Sequence, residues 1–315
     1  MNRDRVDQFK RGGGGNFVVA IDFGGTKIAV ATADLEGGLL EQDRIETDAS
    51  RGALQAIERA LGVARTLMRC TAETRGGRCI AAGVVSPGIV LPDRILLAPN
   101  VPGWGELALL DTVREGLGIE RVAVGTDAKA AAAAEVRWGS LAGADPGIFL
   151  TLSTGVAVAL VIGGKVFRGA HGAAGEIGYS LRSVDDKLGV ANDSAPLEEA
   201  VGGRAIGERG SRLLGGELSA ADIFRSEDVR AQSLVDEALA ELAVHVANIA
   251  ILIDPVRIAI GGGMMNSADR ILEALNSRLR FAVPFPPELV PARFVHDGAL
   301  RGAVAIALDM IEENS

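Results

Sequence analysis

Residues 20–28 read AIDFGGTKI, and a carboxylate, Asp22, stands where an anion would dock. Gly24 and Gly25 let bare backbone N–H groups approach an anion closely, and Thr26 and Lys27 add a hydroxyl and a cation, yet Asp22 in the mouth of the same turn should repel it. A divalent cation between carboxylate and phosphate removes the conflict. Mg²⁺ carried by a nucleotide binds in this way, through one or two carboxylates plus phosphate oxygens. The same residues also suit an ordinary hairpin with an Asp-led turn, so the surrounding sequence has to decide.

The run extends outward into a strand-turn-strand unit, NFVVAIDFGGTKIAVATADLEGGLLEQ from Asn16. A second unit, GIFLTLSTGVAVALVIGGKVF from Gly147, is built alike: an apolar strand, a Gly/Thr turn, a second strand, then a Gly-Gly turn and a third. Such repetition predicts two similar β-sheet lobes. Helical and strand patterns alternate between and after them, which predicts an α/β fold. ALQAIERALGVARTLMRC from Ala53 has helical spacing, IAAGVVSPGIV from Ile80 reads as a buried strand ending in a turn, and RVAVGTDAKAAAAAEVRWG from Arg121 as a strand turning into a helix. SLVDEALAELAVHVANIAILI from Ser233 carries a stripe of Leu234, Ala238, Leu242, Val246 and Ile249. It leads into the strand RIAIGGG, whose Gly261, Gly262 and Gly263 would let a ligand approach backbone before the next helix. ALRGAVAIALDMIEENS from Ala299 is a last apolar-striped helix, expected to pack back on the first lobe.

Composition narrows the function classes. The 315 residues carry a formal charge of -9, and the basic residues are scattered, which argues against a nucleic-acid surface. Cys70 and Cys79 are the only cysteines, too few for a disulfide framework and without metal-site spacing, as expected of a cytoplasmic protein. MNRDRVDQFKRGGGGN lacks an apolar core, so it is expected to be a flexible polar arm and not a signal peptide. The most apolar run, from Gly147, is interrupted by Thr151, Ser153, Thr154 and Gly155 and reads as two strands, not a membrane span.

The order of these pieces resembles the ROK family, sugar kinases and related repressors on the actin-like, ribonuclease-H-like ATPase fold. The likeness runs from Asn16 onward through IDFGGTK, SPG, PNVPGW, TDAKAAAAAE, LSTGVAVAL, RGAHGAAGEIGY, PLEEAVGG and LIDPVRIAIGGGM. It implies an arm over 1–15, an N-terminal lobe over 16–125 completed by the helix 299–315, a C-terminal lobe over 126–298, and a central cleft. It further implies that Asp22 serves Mg²⁺, that Gly24, Gly25, Thr26 and Lys27 form a first phosphate loop, and that Thr154 and Gly155 belong to a second. Gly261, Gly262 and Gly263 would border the adenosine of ATP. Gly88, Asn100, Thr126, Glu176, Tyr179 and Glu198 would line the sugar, and Asp127 would be the catalytic base. The implied activity is transfer of the γ-phosphate to a primary hydroxyl, the 6-OH, of a hexose or amino sugar. A non-catalytic sugar-sensing regulator is the alternative. The repressors of the family carry a DNA-binding segment before the first phosphate loop, where this sequence has only the glycine-rich arm. A small-molecule sugar is the expected partner, with no nucleic acid and no membrane; a homodimer is left open.

This sequence departs from the family pattern at several positions. A structural zinc is usual, held by a His after the GEIG turn and by a cysteine-rich loop. Here Tyr179 stands for the His and SLRSVDDKLGVANDSAPLEEA contains neither Cys nor His, so no zinc is expected. Tyr179 would either reshape the sugar pocket or fill the space of the missing metal site. Thr126 and Lys129 replace two usual Asn residues beside the base, which changes at least one sugar contact and points away from plain glucose. Asp127 alone would also suit an N-cap. Lys129 is expected as a solvated helix residue and Glu135 as a surface or helix-pairing charge. Trp104 should pack under the sugar loop, His245 should be a packing residue, and His171 should stabilise a turn.

Overall fold

The computed structural model describes residues 15–98 and 101–313. The arm over 1–15, apart from Gly15, and Asn100 lie outside the described residues. In chain order the elements are β1 (Phe17–Phe23), β2 (Lys27–Ala33), β3 (Leu39–Glu46), α1 (Ala53–Arg75), β4 (Cys79–Ser86), β5 (Ile89–Val90), β6 (Ile95–Leu96), α2 (Leu109–Leu117), β7 (Val122–Thr126) and α3 (Asp127–Trp138). They continue as β8 (Gly147–Leu152), β9 (Val156–Ile162), β10 (Lys165–Phe167), α4 (Glu198–Val201), α5 (Gly203–Leu214), α6 (Ala220–Arg225), α7 (Val229–Ile253), β11 (Arg257–Gly261), α8 (Ala268–Ala282), β12 (Glu288–Pro291) and α9 (Gly298–Glu313).

Two compact units result, one formed by the chain up to Ala130 with the segment from Ala299, the other by Ala131–Gly298. Thr126 and Asp127, which the resemblance places at the opening of the C-terminal lobe, fall in the first of these units. The repetition seen in the sequence is a repetition of topology. The first sheet has the order β3-β2-β1-β4-β7 and the second β10-β9-β8-β11-β12. In each, an antiparallel meander of three strands is extended by two parallel strands that need crossovers. This is the mixed α/β architecture that the alternation of patterns predicts.

Each unit has its own core. In the first, Val19, Ile21, Ile28 and Val84 pack against Ile57, Ala60 and Leu61 of α1. In the second, Leu150, Leu152 and Ile260 pack against the α7 stripe Leu234, Ala238, Leu242 and Val246, and Ile249 lies at its edge. The apolar run from Gly147 forms the paired strands β8 and β9. No described helix is long and apolar enough to cross a membrane.

Two expectations on α3 fail. Lys129 is buried and Glu135 more so, because α3 is an alanine helix with almost every face covered. Glu135 accepts from Ser140 N at 2.6 Å and Phe294 N at 2.8 Å, so it ties loops together instead of facing water. Trp104 is buried as expected, edge-on to Phe23, with Nε1 donating to Ser86 Oγ at 2.8 Å. Cys79 is half-buried, and burial pushes its thiol up to about 12.

Candidate active site

Three parallel strand ends build the acidic side of the site. β1, β4 and β7 run side by side, and the register that pairs Asp22 with Val85 and Ser86 with Thr126 brings Asp22, Ser86 and Thr126–Asp127 to one edge of the first sheet. Ligands of open α/β sheets bind at this carboxyl edge. Asp22 and Asp127 are near enough to repel. Burial, then the Asp127 charge, push the Asp22 carboxyl up to about 7, and Arg44 opposes them. Arg44 acts across the sheet, since Asp22 pairs with Ala29 and Ala29 with Arg44, and the small Ala29 leaves the path open.

Asp127 stays accessible to solvent, yet the surrounding protein raises its carboxyl; the Ala128 N–H, at 2.7 Å, and the buried Lys129 partly offset this. The N-cap-like bond and the place in the site thus coexist. Two neighbouring carboxyls, both raised above their ordinary range, fit a divalent cation.

The same argument gives a stability test in EDTA. A folded pKa above the unfolded value means that stability is retained below about pH 4 and lost as pH rises through about 7. Asp22→Asn is therefore expected to be more stable than wild type at pH 8 by roughly 2 kcal/mol. That advantage should vanish toward pH 4, as read from paired urea titrations; a pH-independent difference would refute the assignment.

The first glycine turn is a tight hairpin. Gly24 N donates to Lys27 O at 3.0 Å, and Thr47 braces it, Oγ1 donating to Gly24 O at 2.6 Å and N to Thr26 O at 2.9 Å. Gly25, Thr26 and Lys27 are exposed, and the N–H groups of Gly25 and Thr26 have no partner among the described residues. The second turn matches it. Ser153 N donates to Gly155 O at 3.0 Å, whereas the N–H groups of Thr154 and Gly155 have no partner among the described residues. Two bare N–H groups on each turn suit phosphate oxygens.

Gly261, Gly262 and Gly263 end β11 beside the second turn. Gly262 has φ +97° and its missing Cβ would lie 2.3 Å from Leu152 O, so only glycine fits. A short 3₁₀ turn, Gly263–Ser267, separates these glycines from α8. They adjoin a cavity of about 860 Å³ lined by Ser153, Thr154, Arg204, Glu217, Phe224 and Gly263 among others. Its volume lies in the range of small-ligand sites. The α5 and α6 wall was missed in the sequence, although Gly203, Gly207 and Gly210 recur there at helical spacing, each facing a close neighbour.

Of the residues expected at the sugar, Glu176, Tyr179 and Glu198 come together in the second unit. Burial raises the Tyr179 phenol most, followed by Glu198, Glu176 and Asp193. Gly88 has φ +83° with Leu96 O 2.3 Å from where its Cβ would be, so a backbone approach accounts for it. Among the described residues no group of three or more His, Cys, Asp or Glu is placed to hold a metal ion.

Thr126 is buried and its Oγ1 has no hydrogen-bond partner among the described residues, whereas Ser86 opposite it donates to Pro87 O and accepts from Trp104. An unsatisfied buried hydroxyl costs stability. Thr126→Val is expected to stabilise the protein by about 1 kcal/mol, measured by urea denaturation. A destabilised variant would show that the hydroxyl is already satisfied.

The sequence model described as the ROK family matches residues 18–310. The chain belongs to the ROK family. N-acetylmannosamine kinase of Escherichia fergusonii is 30% identical over 299 residues, covering 92% of this chain and 97% of the relative. A ROK hexokinase from Thermus thermophilus superposes with a TM-score of 0.79 at 28% identity, covering 94% and 99% of the two chains. A ROK glucokinase from Streptomyces griseus, solved with glucose and AMPPNP, does so with a TM-score of 0.76 at 26% identity, covering 93% and 99%. These neighbours are ROK sugar kinases, and this ROK chain shares their actin-like ATPase fold.

Proposed function

We propose that this protein is an ATP-dependent sugar kinase that transfers the γ-phosphate to the 6-OH of a hexose or amino sugar. The observation that carries the reading is the pair Asp22 and Asp127 at the carboxyl edge of the first sheet, in a chain of the ROK family. Phosphoryl transfer has a loose transition state, so catalysis is mostly alignment and charge neutralisation. Asp127 orients the attacking hydroxyl and takes its proton late, as the new O–P bond forms. A carboxyl raised above its ordinary range is a stronger base when ionised than an ordinary one. Asp22 would hold Mg²⁺, which when bound neutralises charge on the phosphate oxygens.

On the second unit, the cavity beside Gly261–Gly263 would take the adenosine, and Thr154 and Gly155 would take phosphate. Glu176, Tyr179 and Glu198 would orient the acceptor, because sugar hydroxyls donate to carboxylates and exchange hydrogen bonds with a phenol. Thr126 in the first unit offers a buried hydroxyl in want of a partner, which favours a substrate group placed to reach it. The N-acetylmannosamine kinase relative supports the amino-sugar arm of the proposal.

An ADP-release assay with ATP and Mg²⁺ over glucose, mannose, N-acetylglucosamine and N-acetylmannosamine tests the reading. Turnover of at least one with the phosphate on O6 is expected. Absence of turnover, with sugar binding intact, would favour a sugar-sensing regulator instead.

A further inference from the structure

The carboxylate of Glu198 is shared by two parts of the second unit. Glu198 begins α4, yet its Oε2 reaches back to the turn between β8 and β9 and accepts from Val156 N at 3.2 Å. Gly155 leaves the room for it: a Cβ there would stand 2.1 Å from Oε2. Gly178 flanks it from the turn that carries Glu176 and Tyr179, where a Cβ would lie 3.2 Å from both Cβ and Oε2 of Glu198. A cavity of about 330 Å³ is lined by Thr154, Glu198 and Arg204 together. The backbone locks the same corner, since Gly203 N donates to Ser153 O at 2.9 Å and Arg204 N to Thr154 O at 3.1 Å.

We propose that Glu198 is a positioning residue for the donor as well as a ligand of the acceptor: one carboxylate oxygen holds the Thr154–Gly155 turn in its phosphate-binding form, and the other is left for a substrate hydroxyl. The inference rests on the kinase reading above. It adds that an acceptor-side residue sets donor affinity. With the bond to Val156 N in place, the N–H groups of Thr154 and Gly155 are presented without a partner. Without it the turn can relax, and the two N–H groups no longer point at one anion.

Three variants separate this from a simple sugar contact. Glu198→Ala removes the brace and should weaken AMPPNP–Mg²⁺ binding, measured by calorimetry without sugar, by about three- to ten-fold, the worth of one hydrogen bond. Glu198→Gln keeps an acceptor for Val156 N and should restore near-wild-type AMPPNP affinity while still lowering kcat/KM for the acceptor. Gly155→Ala should reproduce the Glu198→Ala loss, because the atom in its way is the tip of a flexible side chain that can swing aside without moving the backbone. The Gly155→Ala/Glu198→Ala pair should then be no worse than either single change. Unchanged AMPPNP affinity in folded Glu198→Ala, equal losses in Ala and Gln, additive losses in the double variant, or no AMPPNP binding by wild type would each overturn the proposal. Asp127→Asn, measured in parallel, distinguishes the two readings, since loss of its turnover bears on the kinase assignment and leaves the AMPPNP comparison intact.

Discussion

Asp127→Asn is expected to lower kcat on the best acceptor by about 10²–10⁴-fold, the usual contribution of a positioned general base. Asn keeps the shape and can still accept from Ala128 N, which Asp127 engages at 2.7 Å, so the start of α3 should survive. What disappears is the proton acceptor and one of two repelling charges. Because the Asp127 charge raises the Asp22 carboxyl, Asp22 in the variant should titrate below its value of about 7. AMPPNP–Mg²⁺ should therefore bind the variant at least over as wide a pH range as it binds wild type.

The pH profile supplies a second readout. In wild type the acid limb of kcat/KM should lie above the ordinary carboxylate range of about 4, because the surrounding protein raises the Asp127 carboxyl, and turnover should rise as the group ionises. That limb should be missing from the residual activity of the variant. Equal turnover of the two proteins, or the same acid limb in both, would remove Asp127 from the base role.

The largest effect on stability is expected at Gly83. It lies in the middle of β4, and a Cβ there would fall 1.8 Å from Ala303 O and 2.7 Å from Ala303 C of α9. Gly302 is pressed in the same way, 2.2 Å from Ala130 C and O. The terminal helix thus docks backbone to backbone, as the stripe Leu300, Ala303, Val304 and Ala307 lets it. Main chain cannot swing aside as a side-chain tip can, so Gly83→Ala has to push α9 away or bend β4. A loss of about 3 kcal/mol or more is expected, at the upper end of overpacking costs. Gly62→Ala in α1 is the control. Among the described residues no atom beyond its chain neighbours and its own helix backbone lies within 4 Å of an added Cβ, and replacing a mid-helix glycine should stabilise the protein by roughly 0.5–1 kcal/mol. Urea denaturation of both variants decides; a Gly83→Ala protein as stable as wild type would mean that α9 does not pack on β4 as described.

Several features were legible in the sequence because each is local. The two strand-turn-strand units are written in short apolar runs cut by Gly/Thr turns, and β1–β3 and β8–β10 follow them. The stripe Leu234, Ala238, Leu242 and Val246 announced α7 because a helix repeats its buried face at a fixed spacing. Asp22 could be singled out because a carboxylate beside two glycines conflicts with its own turn. The site residues came from likeness to a family, which assigns roles by position.

Other features required the assembled chain. The approach of Asp22 to Asp127 follows from β4 lying between β1 and β7, an order that no spacing encodes. Arg44 acts on Asp22 only because β2 puts Ala29 between them. Lys129 and Glu135 looked like helix-surface charges because alanines on every side give α3 no polar face, and only the neighbouring elements decide which positions they cover. The α5 wall of the large cavity and the reach of Glu198 to Gly155 were likewise invisible. A periodicity records which side of one element turns from water; desolvation of a charge, and which two groups share a contact, depend on what a second element brings against that side.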